Sequence, residues 1–223
     1  MKSSSLSRTF LLPIRGCTIG LACLNTVWRA TGAPNNYDHG KLILGERQID
    51  NSSAEIAAAD FKIAVFHHPH ECWADFEKTS TRFRIYSDFD LACFGHNHDP
   101  NPELVVNPLD TILLSNAGTL FTDREYYNGY TIIILDFETG IANFVLRTYF
   151  DRRRAFDKAV DRVPEGTKDF PIRQKQKDRS LLMVTNVKDY IVTLRERFNQ
   201  RLISSTSNTE APKELKEILS SQP

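Results

Sequence analysis

Three histidines, His67, His68 and His70, follow one apolar run, and two more, His96 and His98, follow another; together they are five of the chain's six. Imidazole is a ligand for Zn, Fe, Mn or Ni, and His-x-His in an extended loop lets two rings point the same way. Each cluster is punctuated, by Pro69 after the first pair and by Gly95 before the second. Apolar runs that stop abruptly at imidazoles predict strands that end in a metal site.

The elements that must position these groups are short. Residues 61–66 and 91–94 have the composition of buried strands, and if they lie parallel and adjacent their carboxyl ends bring the clusters together, at the edge where open α/β sheets place their sites. A further buried strand is expected at 17–24, a long Gly/Asn/Pro-rich loop at 25–40, and helices at 46–59 and 71–86, the second with a soft point at 79–81. Strand and helix alternate, which predicts an α/β fold: a sheet with flanking helices. The pattern then changes to strands at 111–118, 130–136 and 141–149, the last two joined by a turn at 136–140, and predicts a closing set of consecutive antiparallel strands. Beyond Asp151 the chain reads as charged and irregular. The basic run at 173–179 reads as a solvated linker, and helical spacing returns over 181–203 in a C-terminal tail that packs on the main domain or on a partner.

The chain has 223 residues, enough for one good-sized core with appendages, and 41% hydrophobic with 25% charged content is ordinary for a globular protein. Lys+Arg and Asp+Glu both total 28, so no surplus of positive charge argues for nucleic acid, although a neutral total leaves room for a local basic patch. Cys17, Cys23, Cys72 and Cys93 form no Cys-x-x-Cys pair, and a reducing cytoplasm is the expected compartment. Pro13 and Arg15 interrupt the apolar residues near the start, which therefore read as a strand and not as a leader or a membrane span. Residues 1–9 are Ser-rich and expected to be disordered.

His67-His68-Pro69 followed by Gly95-His96-Asn97-His98 resembles the second half of the calcineurin-like metallophosphoesterase signature. The segment around Leu24-Asn25-Thr26, Gly40, Leu42 and Gln48 is similar to the connection that precedes the histidine strand in that family, and Asn116-Ala-Gly118, Asn128-Gly-Tyr130 and Arg147-Thr-Tyr149 resemble its closing strands. The resemblance implies that residues 10–170 form the C-terminal portion of such a domain, with 171–223 as a basic linker and helical tail. It implies a hydrolase of phosphoric esters that uses divalent ions (Mn, Fe, Zn or Ni), paired in complete members, with a metal-bound hydroxide as nucleophile. By the same resemblance His67 and His96 ligate one ion and His98 the other, while His68 and Asn97 orient a ligand or face the substrate. His70 matches no family role and reads as a loop histidine.

The family's Asp-x-His, Gly-Asp-x-x-Asp and Gly-Asn-His motifs do not occur before His67: Asn25 is followed by Thr26, and Asp38 and His39 are adjacent instead of spaced. The bridging carboxylate and the general-acid histidine therefore have no counterpart, and the chain is expected to begin just after the point where those motifs end. Histidines without carboxylates favour Zn or Ni over Mn or Mg. Three functions are compatible with this: a phosphoesterase acting on a phosphate-ester substrate with an upstream polypeptide that supplies the carboxylates, a non-catalytic interaction module, and an inactive remnant.

Overall fold

A computed structural model describes residues 6–33, 37–106, 111–120 and 127–173, all within the compact unit Met1–Gln174. The helical reading for 181–203 falls outside the described residues.

The chain is a mixed α/β protein built around a six-stranded sheet. Four strands form its parallel centre: β2 (Cys17–Leu24), β3 (Phe61–Val65), β4 (Leu91–Phe94) and β6 (Thr111–Asn116). Two antiparallel strands, β1 (Ser7–Ile14) and β5 (Asn101–Val106), form its edges. Helices α1 (Glu46–Glu55) and α2 (Asp75–Asp88) connect the parallel strands. A second, antiparallel sheet holds β10 (Thr167–Pro171), β8 (Ile141–Phe150) and β7 (Gly129–Asp136) in that order, with β9 (Ala155–Lys158) also paired to β8.

The central strands are apolar on both faces because each face meets a different layer. Ala64 and Phe66, Ala92, and Ile112 and Leu114 share a core with Ile49, Ile56, Trp73, Ile85 and Phe89 from the helices and their loops. Ile19, Phe61, Leu91 and Leu113 turn the other way and pack against Ala142, Phe144 and Leu146 of β8. The alternation of side chains along a strand produces this division. Close approach of the turn after α1 to the sheet depends on Gly20, where an added Cβ would lie 2.7 Å from the Ala59 Cβ and 2.9 Å from the Ile56 Cβ. Gly20→Ala should therefore destabilise the chain by about 1–3 kcal/mol, read as a lower urea midpoint.

Several sequence expectations need correction. β1 starts at Ser7, inside the stretch expected to be disordered, because Arg15 and Gly16, both at positive φ (48° and 80°), form a tight hairpin turn that pairs Ser7 with Leu24. The soft point in the second helix is absent: α2 runs unbroken through 79–81, and Thr81 is fully buried, but the helix begins only after a 3-10 turn at His70–Cys72. The first helix stops at Glu55. The strands near 111, 130 and 141 are not consecutive neighbours in one sheet: β6 runs parallel to β4, and only β7 and β8 form a hairpin. β5, β9 and β10 escaped the sequence reading. β9 and β10 are mostly exposed, and β5 is a half-exposed edge strand in which Pro102 is tolerated.

At the other edge, among the described residues, no strand pairs with the outer side of β1. Phe10, Leu12 and Ile14 pair with Leu21, Ile19 and Cys17, on the face that the second sheet covers further in, yet they remain 46%, 40% and 51% exposed. Among the described residues no helix is long and apolar enough to cross a membrane.

Candidate metal centre

The loops that leave β3 and β4 are tied together. Phe66 N–H donates to the Cys93 carbonyl at 3.1 Å, extending the parallel ladder, and Gly95 N–H donates to the His67 carbonyl, also at 3.1 Å. His67 and His68 are thus set beside the turn that carries His96. That turn is tight: Asn97 N–H returns to the Gly95 carbonyl at 2.9 Å, and His96 and His98 have φ of 72° and 56°. Left-handed backbone at non-glycine residues costs on the order of 1 kcal/mol or more each, and such conformations cluster at functional sites.

The outcome is a three-histidine group. Ring nitrogens of His67, His68 and His96 all lie within 4.8 Å of one another. The ring centroids are 4.6 Å (67 to 68), 5.3 Å (67 to 96) and 4.7 Å (68 to 96) apart.

His68 is the most firmly held member. Its backbone N–H donates to Thr26 Oγ1 at 3.0 Å, and its Nδ1 lies 3.1 Å from the same oxygen, both residues being buried. With the ring proton on Nδ1 and donated to Thr26, the Nε2 lone pair is free for a ligand role, the arrangement that usually accompanies a ligating histidine. Thr26 is positioned by Gln48 of α1, whose side chain accepts from Asn25 N–H and donates to the carbonyls of Asn25 (3.2 Å) and Leu44 (2.8 Å). Trp73 Nε1–H donates to the His68 carbonyl at 3.1 Å.

Loss of solvation holds all three imidazoles below their ordinary basicity, although His67 keeps an exposed surface, and neighbouring imidazoles add to it. His68 is pushed down to about 4, first by burial and then by His67 and His96, with its hydrogen bond to Thr26 and the charge of Asp38 pulling the other way. His67 is lowered by burial and then by His98, and His96 by burial and then by His67, His98 and His39. Neutral rings at neutral pH keep their lone pairs available.

The group could hold a metal ion. Three imidazoles suit Zn, Ni or another borderline cation, and zinc bonds of about 2.0–2.1 Å require the nitrogens to close to roughly 3.4 Å. Among the described residues no carboxylate joins the group, so the donor set is that of one ion and not of a bridged pair.

The sequence placed His67, His96 and His98 as ligands, with His68 and Asn97 beside them. The structure gathers His67, His68 and His96. His98 is half-buried and close enough to repel protons from His67 and His96, but lies outside the group, and Asn97 is exposed. His70 faces Glu71 (3.1 Å) and belongs with Trp73, Arg82 and Tyr86 instead of with the triad.

Two residues that the sequence reading set aside come into the site. A cleft of about 320 Å³ above the triad is also lined by Asp38 and His39 from the 25–40 loop. Asp38 accepts hydrogen bonds from Thr31 N–H (2.8 Å), Thr31 Oγ1–H (2.9 Å) and Gly32 N–H (3.3 Å), which close the loop on itself. The available signal was the one histidine outside the two clusters, adjacent to a carboxylate in a loop that follows a predicted strand.

No protein-family model and no curated protein matches the sequence. Among solved structures the chain is similar to GAP50, described as the anchor in the inner membrane complex of Plasmodium, at 12% identity and a TM-score of 0.44, covering 79% of this chain and 57% of that one. It is also similar to a hypothetical protein from Thermus thermophilus (13%, 0.36, 74% and 62%). A third similarity is to a single mutant of Vps29 from Entamoeba histolytica (14%, 0.32, 76% and 64%). This chain spans less than two thirds of the length of each.

The Thr26–His68 contact gives a prediction of its own. Thr26→Val keeps the shape but removes both hydrogen bonds, leaving the His68 ring free to turn and its Nδ1 without a partner. Zinc affinity measured by chelator competition should fall by about tenfold.

Proposed function

We propose that this chain carries one half of a phosphoester-hydrolysing site, in which His67, His68 and His96 hold a single Zn- or Ni-class ion. The observation that supports it is the convergence of three neutral imidazoles at the carboxyl ends of adjacent parallel strands, under an open cleft. A cation held there would supply Lewis acidity toward a phosphoryl oxygen and lower the pKa of a water molecule. The chain's own residues do the positioning: Thr26 fixes the His68 ring, Gly95 and the loop bond to His67 fix the spacing of the two clusters, and Asp38 adds a negative charge that offsets part of the cation's.

The missing carboxylates are supplied by a second polypeptide in this reading, and β1 is where it joins. β1 runs antiparallel to β2, so a strand added antiparallel to β1 runs in the direction of β2, β3 and β4 and ends at the same edge as the triad. It would also cover Phe10, Leu12 and Ile14. Co-expression with the upstream coding region should yield Zn- or Ni-dependent hydrolysis of a chromogenic phosphodiester well above that of the chain alone, and Leu12→Asp should abolish the gain. Equal activity with and without the upstream region would remove the split-site reading.

The same uncovered row favours a second reading, a non-catalytic interaction module. In that case the double variant His67→Ala, His96→Ala leaves partner capture intact while Leu12→Asp abolishes it. Capture lost in the histidine double variant would count against the module.

A further inference from the structure

His39 also lines the cleft; it is exposed, and its backbone is held by its neighbours. The Asp38 carbonyl accepts from Lys41 N–H at 3.1 Å, closing a turn around His39 and Gly40, the latter at φ 71°. The Lys41 ammonium lies 3.6 Å from the centre of the Tyr37 ring, across the same turn. One residue further on, Leu42 is fully buried, donates to the Cys72 carbonyl (3.0 Å) and accepts from Ala74 N–H (2.8 Å). On the other side, Asp38 is fastened to Thr31 and Gly32. His39 is therefore anchored from both directions.

Its place relative to the triad is what gives it a role. His39 lines the cleft together with His67, His68 and His96, yet it does not belong to the group of mutually adjacent nitrogens. It lines the cleft from outside the three-histidine group. The cleft as a whole, about 320 Å³, has room for a phosphate group.

We propose that His39 is a substrate-contacting residue: it donates a hydrogen bond to a tetrahedral oxyanion, the phosphoryl group of an ester or inorganic phosphate, that enters between it and the triad. This rests on the reading of the cleft as a phosphoester site. Asp38, on the same wall, repels an anion, but its carboxylate is engaged by three donors from Thr31 and Gly32, which leaves the imidazole as the donor presented by this turn.

The test uses the full chain as wild type, His39→Ala and His39→Gln, with zinc affinity measured by chelator competition and inorganic phosphate affinity by calorimetry, in zinc-loaded and metal-free protein. His39→Ala should weaken phosphate by about tenfold while leaving zinc affinity within twofold, and His39→Gln, which retains an N–H donor, should recover part of the loss. The proposal is overturned if phosphate affinity is the same in His39→Ala, if neither form of the wild type binds phosphate, or if His39→Ala costs zinc affinity as the triad variants do. A wild type that binds no zinc would undo the metal reading separately. The metal-free titration then decides on His39, because His39→Ala must weaken phosphate there too.

Discussion

Trp73→Ala should lower the unfolding free energy by about 3–5 kcal/mol, as a fully buried indole is replaced by a cavity. This is a large fraction of the ~5–15 kcal/mol that stabilises a typical domain. Trp73 is a peg between three segments of the chain. Its ring packs on Phe66 at the end of β3, 5.8 Å between centroids, its backbone bridges to Leu42, and its Nε1–H holds the His68 carbonyl. Loss of the ring thus loosens the loop that carries His67 and His68, and zinc affinity should fall together with stability. Trp73→Phe separates the two contributions: it keeps most of the packing and removes the hydrogen bond, and should cost about 1–3 kcal/mol. Urea titrations of both variants check this. A Trp73→Ala chain within about 1 kcal/mol of wild type would contradict the packing described.

Acid should destabilise the metal-free chain through the triad, with His68 the member whose basicity is lowered to about 4. The folded His68 titrates at about 4 and the unfolded residue at the ordinary 6.5, so between these values the unfolded chain binds more protons. Stability therefore rises with pH across that window and is lost as pH falls from about 6.5 toward 4. His67 and His96, lowered by burial first, act in the same direction. Glu77 opposes them: burial raises its pKa although it accepts from Leu44 and Gly45 N–H, so the fold keeps its proton to higher pH than the unfolded chain does. Urea unfolding at pH 7, 5.5 and 4 should show the decline, His68→Gln should flatten it, and saturating zinc should shift it to lower pH.

The halves of the site were legible in sequence to different degrees. The two clusters could be read because β3 and β4 are short apolar runs that end at Pro69 and Gly95, and a parallel pair must bring its carboxyl ends together. Which histidines converge could not be read. His96 and His98 are both in left-handed backbone, so the two-residue spacing does not place them as an extended strand would, while His68 is drawn inward by Thr26, 42 residues away. Asp38 and His39 depend on hydrogen bonds from Thr31 and Gly32 that leave no periodic trace. In the fold, the buried parallel strands announced themselves by continuous apolar runs. The exposed strands β5, β9 and β10 did not, because pairing at an edge asks little of side-chain polarity.

Zinc titration of the purified chain at pH 7, by competition with a chromogenic chelator, tests the central claim most directly. The triad predicts one equivalent of zinc bound, with His67→Ala, His68→Ala and His96→Ala each weakening it by about 100-fold or more, and His98→Ala and His70→Ala changing it less than about threefold. Zinc bound equally well by His68→Ala but lost in His98→Ala, or no zinc bound by the wild type, would contradict the account.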